Sequence, residues 1–425
     1  MMDFTQAMRY IRETARFGSK LGLDNITCLM ERLNNPEKKL RFAHIAGTNG
    51  KGSVAAFLSG AMTAAGYRTG LFISPYISRF NERVSVDGEL ISDAEIAELV
   101  GLVADAVADM TKKGLNHPTE FEIITAMAFL YYEKKRCDIV VLEVGLGGRL
   151  DATNVIERPL VSIITSIDFD HEAYLGESLD EIAREKAGII KEDADVVTCV
   201  QRVEVLDAIK LICQKRKARL SLTERAKVKV FSRRGQVFDL GAMKGAEIAL
   251  LGEHQLENVS LAIEAIDVLR GKGFEISESA VREGIQNARW PGRFEWISQR
   301  PDIVIDGAHN IQGARMLAKN LKTYFPGKDI FFVAGALADK NYELMIQAVA
   351  PLAKAFFTVA PPSGRALPAD ALARSAEELH KPAHAFDGVT NALEAARQAA
   401  SADDVICVFG SLYLVGGARD WVLNG

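Results

Sequence analysis

Gly47-Thr48-Asn49-Gly50-Lys51-Gly52-Ser53 follows the apolar run Phe42 to Ala46 and opens the amphipathic segment Val54 to Ala65. A buried strand, a glycine turn and a helix start, in that order, predict a cradle for phosphate. Glycines let backbone N–H groups turn toward an anion, the first helical turn adds the positive end of its dipole, and Lys51 can reach the outer phosphates of a nucleotide. The spacing departs from the usual phosphate loop, because five places before Gly50 stands Ile45, not glycine, and Gly52 separates the lysine from Ser53. A glycine turn that only joins strand to helix is the plainer reading. Lys51 and Ser53 together at the junction favour the phosphate.

Outward from this loop, apolar strands alternate with helical patterns. Phe42 to Ala46, Asp138 to Val144, Val161 to Ile167 and Asp195 to Val200 have the composition of buried parallel strands, which predicts an α/β sheet covered by helices on both faces. Between Ala226 and His254 short alternating runs, broken by Arg234-Gly235 and Gly245, predict antiparallel hairpins added to that sheet, followed by a helix from about Gln255 to Arg270. Trp290-Pro291-Gly292 interrupts the pattern, and a fresh α/β cycle begins with strand Ile303 to Asp306. It continues through strands Asp329 to Ala334, Lys354 to Val359 and Asp404 to Phe409 and helices Pro368 to His380 and Thr390 to Ala400. The expectation is an ATPase-type domain over residues 1–294 and a smaller Rossmann-like domain over 295–425.

The 425 residues suffice for two cores, and 48% hydrophobic with 25% charged residues is ordinary for a globular chain. A net charge of -5 gives no basic footprint for nucleic acid. No apolar stretch reaches the roughly 18 to 20 residues that span a bilayer, and no signal-type segment opens the chain, so a cytoplasmic monomer is expected. The five cysteines are scattered, with no Cys-x-x-Cys spacing, and read as reduced, buried thiols.

A bound nucleotide needs Mg²⁺, which takes a few oxygen ligands plus water, and these should sit at strand ends near the loop. Glu143 ends an apolar strand and runs into Val144-Gly145-Leu146-Gly147-Gly148. Asp168, Asp170 and His171 follow the strand Val161 to Ile167, and Ser74 follows Leu71 to Ile73. Capping or turn formation explains any one of them; their recurrence at successive strand ends is harder to explain that way.

The stretches HIAGTNGKGSV (His44 to Val54), SPYISRFNERV (Ser74 to Val84), TEFEIITAMAF (Thr119 to Phe129), LEVGLGGRLDATN (Leu142 to Asn154), ITSIDFDHEAYLG (Ile164 to Gly176), EKAGIIK (Glu185 to Lys191), WPGRFE (Trp290 to Glu295) and DGAHN (Asp306 to Asn310) resemble the folylpolyglutamate synthases and bifunctional dihydrofolate synthases of bacteria. The resemblance runs through nearly the whole chain. It implies that the loop holds ATP, through Thr48, Asn49, Gly50, Lys51, Gly52 and Ser53, and that Ser74, Glu143 and His171 coordinate two Mg²⁺ ions. It also implies that Lys186 is N-carboxylated; a carbamate replaces a cation that would repel the metal by an oxygen donor that can bind it.

By the same resemblance, Asn258, Arg293 and Asp306 contact ATP, Asp306 and His309 face the incoming L-glutamate, and Ser411 binds its carboxylate. The pterin-bearing substrate, dihydropteroate or a reduced folate, would lie along Gly18, Ser19, Lys20 and Leu21, along Phe121, Glu122, Ile123 and Ile124, and along Leu150, Asp151 and Ala152. Phe121 offers an aromatic face to a flat heterocycle. The implied reaction is ATP-driven amide formation through an acyl phosphate, with Lys51, Lys186, His309 and Asp306 as the catalytic group. A monofunctional folylpolyglutamate synthase, a Mur-type ligase and a non-catalytic nucleotide-binding protein are the alternatives.

Overall fold

The computed structural model describes residues 2–14, 18 and 22–424. Eight strands form the first sheet: β1 (Phe42–Ala46), β2 (Thr69–Phe72), β3 (Val84–Val86), β4 (Glu89–Leu90), β5 (Ile139–Glu143), β6 (Val161–Ile164), β7 (Asp195–Thr198) and β8 (Arg219–Leu222). Their order is β4-β3-β2-β5-β1-β6-β7-β8. Neighbours from β2 to β8 run parallel, and β3 and β4 add an antiparallel edge. β1 and β5 are buried along their whole length, as expected for strands covered on both faces.

One face of this sheet carries the helices Lys51–Ala64, His254–Gly271 and Glu278–Asn287, whose Val54, Phe57, Leu58, Val259, Ile266 and Ile285 pack on Ala43, Ile45 and Ile163. The other face carries Asp24–Arg32, Asp93–Lys112 and Glu120–Lys135 over Phe42, Val140 and Leu142. Fully burying one such Ile, Leu or Phe contributes about 1.5–3 kcal/mol. Helices Lys51–Ala64 and Glu278–Asn287 cross closely because both contact points are small: a Cβ on Gly284 would lie 2.3 Å from the Ala61 backbone.

The hairpins expected between Ala226 and His254 are β9 (Lys227–Ser232), β10 (Gly235–Leu240) and β11 (Met243–Ile248). They form an antiparallel sheet of their own and do not extend the first one. The reason is burial: Phe238, Ala246 and Ile248 share a core with Leu256, Val259 and Val281, so the hairpins lie face-on over helices.

The third sheet has β12 (Glu295–Ser298), β13 (Asp302–Ile305), β14 (Ile330–Ala334), β15 (Ala353–Val359), β16 (Ala383–Phe386) and β17 (Val405–Phe409), in the order β12-β13-β17-β14-β15-β16. All pairs are parallel except that of the edge strand β12. In both sheets, strands adjacent in space leave in different directions along the chain, at β5/β1/β6 and at β13/β17/β14. Such switch points open crevices beyond the strand carboxyl ends.

Candidate active site

The carboxyl ends of both sheets meet over the phosphate loop. The helix after the loop begins at Lys51, with Gly50 as its N-cap at φ 92°, a conformation that favours glycine. A Cβ on Gly50 would also lie 2.3 Å from Asn258 Oδ1, and one on Gly52 would lie 2.3 Å from the ring of Trp290. The unusual glycine after Lys51 is therefore the seat of the indole. The loop is tied to the end of β6: Thr48 N–H donates to Ser166 O at 2.9 Å, Thr48 Oγ1 donates to Asp168 O at 3.0 Å, and Thr165 Oγ1 donates to Asn49 O at 2.8 Å. Lys51 Nζ folds over the loop toward the carbonyls of Gly47 and Thr48, at 3.2 and 3.3 Å.

A cavity of about 350 Å³ surrounds this loop. Ser74, Glu143, His171 and Lys186 line it together with Asn258, Arg293, Asp306 and His309. Glu143 Oε2 accepts the N–H of Ser74 at 3.1 Å. Burial pushes the Glu143 carboxyl up, while Lys51, Arg293 and Arg83 favour its ionised form. Lys186 is buried and donates to Gly47 O at 2.9 Å. Burial, then the Lys51 charge, brings its ammonium down to about 7. His171 stands at φ 51° at the start of the helix Glu172–Leu175, and burial lowers it to about 4, so the imidazole is neutral near pH 7.

From the third sheet, Asp306 directly follows β13. Its Oδ2 accepts from Phe294 N at 2.8 Å and its Oδ1 from Ala308 N at 2.7 Å. Burial raises its carboxyl, opposed by Arg293. His309 Nδ1 is 2.8 Å from Gly307 O, a carbonyl that only accepts, so Nδ1 carries the hydrogen. Nε2 then faces Asp170 Oδ2 at 3.8 Å. Asn49 of the loop bonds across the cleft to Asn310 and Gln312.

A second cavity, about 600 Å³, holds Gly18, Phe121, Glu122, Ile124, Leu150, Asp151, Ala152 and Ser411 in its wall. It joins the first at Ser74, Gly145, Leu146, His171 and His309. Thr119 and Glu122 cap the helix Glu120–Lys135 reciprocally, which sets Phe121 in its first turn. The Phe121 ring closes on Gly145, where a Cβ would lie 2.5 Å from it.

Ile123 departs from the sequence expectation: it is fully buried in the core under the helix and is absent from the cavity wall, since it lies on the face turned to the sheet. Ser19, Lys20 and Leu21 lie outside the described residues. Sequence reasoning missed Lys340, Gln312 and Arg83. Arg83 stands inside a quoted motif, but Lys340 and Gln312 carry no local pattern. Asp170 was noted only as a strand-end carboxylate. It takes Lys340 at 2.6 Å, and although burial opposes its ionisation, His309, His171 and Lys340 hold it well below the usual carboxylate range.

A cavity on a phosphate loop, opening into a second compartment at a cleft between two α/β sheets, suits an enzyme that brings a nucleotide and a second substrate together, and the chain's relatives identify the class as ATP-dependent ligases. Residues 45–266 match the Mur ligase middle domain, and residues 292–412 match the Mur ligase, glutamate ligase domain. The chain is 39% identical to the dihydrofolate synthase/folylpolyglutamate synthase of Bacillus subtilis, over 98% of both chains. Among solved structures it is similar to Mycobacterium tuberculosis folylpolyglutamate synthase complexed with ADP and AMPPCP (TM-score 0.91, 31% identity, 99% of each chain). It is also similar to an Escherichia coli relative in complex with DHPP and ADP (TM-score 0.87, 28% identity, 99% of each chain). The chain belongs to the Mur ligase family, in its folylpolyglutamate synthase/dihydrofolate synthase branch, and is an ATP-dependent glutamate ligase.

Proposed function

We propose that the protein adds L-glutamate both to dihydropteroate and to reduced folates. The observation that carries this reading is the shared mouth of the two cavities, at Ser74, His171 and His309, where a carboxylate from one would meet a γ-phosphate from the other. The solved Escherichia coli relative, in complex with DHPP and ADP, supports it.

In this reading the folate carboxylate attacks the γ-phosphorus, the bond to ADP breaks, and an acyl phosphate forms. Lys51 offsets the phosphate charge, and Arg293 and Asn258 hold the nucleotide. The glutamate amine, bound near His309 and Ser411, attacks the acyl carbonyl and phosphate leaves. Asp306 already accepts two backbone N–H bonds, so its task is orientation. His309 lines the shared mouth of the two cavities, where it would orient the amine, and the proton the amine gives up leaves on the phosphate. Residues 1–294 carry ATP and folate in this scheme, residues 295–425 complete the ATP and glutamate sites, and the enzyme works as a cytoplasmic monomer.

No group of three or more His, Cys, Asp or Glu side chains placed for a metal occurs among the described residues. Mg²⁺ commonly takes only one or two protein carboxylates, with substrate phosphate and water completing its shell. The buried Glu143 carboxylate, the adjacent Ser74 and neutral His171 fit such a site, and a carbamate on Lys186 would complete the oxygen set. Two bound Mg²⁺ ions would supply charge neutralisation at the phosphates.

The test is ADP release, assayed separately with dihydropteroate and with tetrahydrofolate in the presence of glutamate. Turnover of both is expected; turnover of tetrahydrofolate alone would leave a monofunctional folylpolyglutamate synthase.

A further inference from the structure

We infer that His44 is a positioning residue for the folate compartment: through Thr153 it fixes the carboxylate of Asp151, and with it the Gly145–Leu146 wall. The inference rests on the folate reading of the second cavity.

His44 lies in β1, fully buried, on the face opposite Ala43 and Ile45. Its Nε2 is 2.9 Å from Thr153 Oγ1. That hydroxyl lies 2.5 Å from Asp151 Oδ1. Burial raises the Asp151 carboxyl, and the Thr153 hydroxyl with the N–H groups of Leu146, Thr153 and Gly145 favours its ionised form. Thr153 Oγ1 donates to Asp151 Oδ1, and since a hydroxyl has one hydrogen, His44 Nε2–H donates to Thr153. The other ring nitrogen, Nδ1, is buried without a hydrogen-bond partner. Burial holds the ring neutral, with its value down at about 3. A valine or isoleucine would fill this strand position without the cost of an unpaired nitrogen. The bond to Thr153 is what the histidine supplies.

Asp151 passes the constraint on. Its Oδ1 also accepts Thr153 N–H at 3.0 Å, and its Oδ2 accepts Leu146 N–H at 2.8 Å. Gly145 and Leu146 form the wall where the second cavity meets the first, and the Phe121 ring rests on Gly145. The relay thus runs from the sheet interior to the wall of the second cavity. None of its hydrogen bonds touches Gly47 to Ser53.

The experiment compares H44L, T153V, H44L/T153V and H44Q by steady-state ADP release, with melting curves as the check on folding. H44L and T153V are expected to raise the KM for the folate substrate about tenfold and to leave the KM for ATP within about twofold. H44Q, which keeps a donor near the Nε2 position, should restore most of the loss, and the double variant should be no worse than T153V. Equal rises in both KM values, additive losses or unchanged kinetics would overturn the inference. Independently of turnover, ¹⁵N NMR of the wild-type imidazole should show hydrogen on Nε2 and a bare Nδ1; hydrogen on Nδ1 would overturn it. If neither folate is turned over, the folate reading fails, and the NMR result still decides the relay.

Discussion

Lys340 and Asp170 form an ion pair across the cleft between the two larger sheets, with Nζ 2.6 Å from Oδ1 and side chains only 9% and 8% exposed. The aspartate follows β6 and the lysine follows β14, so the pair joins the strand ends of one sheet to those of the other. Lys340→Met leaves Asp170 with the His171 N–H at 3.0 Å, the rings of His171 and His309, both at 3.8 Å, and a long contact to Asn310. The expected loss is about 3–5 kcal/mol, measured by urea unfolding, with part of it recovered in K340M/D170N. A single variant as stable as wild type would show that the pair does not hold the cleft together.

Asp170 also sets a pH dependence. Its folded value lies below the unfolded value near ~3.9, so its stabilisation is fully present above that value and is lost as pH falls below it. Between about pH 5 and pH 3, wild type should lose more unfolding free energy than D170N. Parallel curves for the two proteins would contradict this.

Lys186 is shifted in the opposite direction to a lysine paired with a carboxylate. Its folded value of about 7 lies below the unfolded ~10.4, so the unmodified protein gains stability as pH rises between the two. Above pH 7 the amine is neutral and can attack CO₂. Activity should therefore fall in bicarbonate-free buffer and return with bicarbonate, more fully at pH 8 than at pH 6. A ¹³C carbamate signal should appear with labelled bicarbonate; no signal and no bicarbonate dependence would exclude the modification.

Lys51→Ala removes the ammonium beside the phosphate loop, whose contacts in this structure are two loop carbonyls. Turnover should drop by about 10³-fold or more, with stability changed by no more than about 0.5 kcal/mol. Retained turnover would remove Lys51 from the mechanism.

Gly52→Ala places a methyl group 2.3 Å from the Trp290 ring. The indole must shift, and ATP affinity should weaken, as read by nucleotide titration. G52A/W290L should recover much of the loss, because the smaller side chain makes room. If the double variant is no better than G52A, the clash is not the cause.

Much of this architecture was legible in the order of residues. Long apolar strands such as Phe42–Ala46 and Val405–Phe409 announce themselves because burial on both faces leaves no polar interruption. The loop and Glu143 follow from chemistry placed at strand ends, whereas His171 and Asp306 enter as site residues only through the resemblance of their motifs to a known family. Glu89–Leu90 and Ala383–Phe386 are short and partly exposed, and they lack a pattern to read. The three-stranded sheet was visible as hairpins, but its seat over helices depends on distant partners. Lys340 was invisible for the same reason: its partner is 170 positions away, and nothing near it marks a buried cation.

Trp290 sits where the chain passes from the last helix over the first sheet toward β12, and its ring lies on Gly52. Three residues on, Arg293 faces both Glu143 and Asp306. The passage between the sheets is thus also part of the wall of the cavity at the loop. A swing of one sheet against the other at this point would turn the indole against the loop, and a loop displaced by its ligand would push back on the same ring. The link between the sheets and the prop of the loop are one piece of chain.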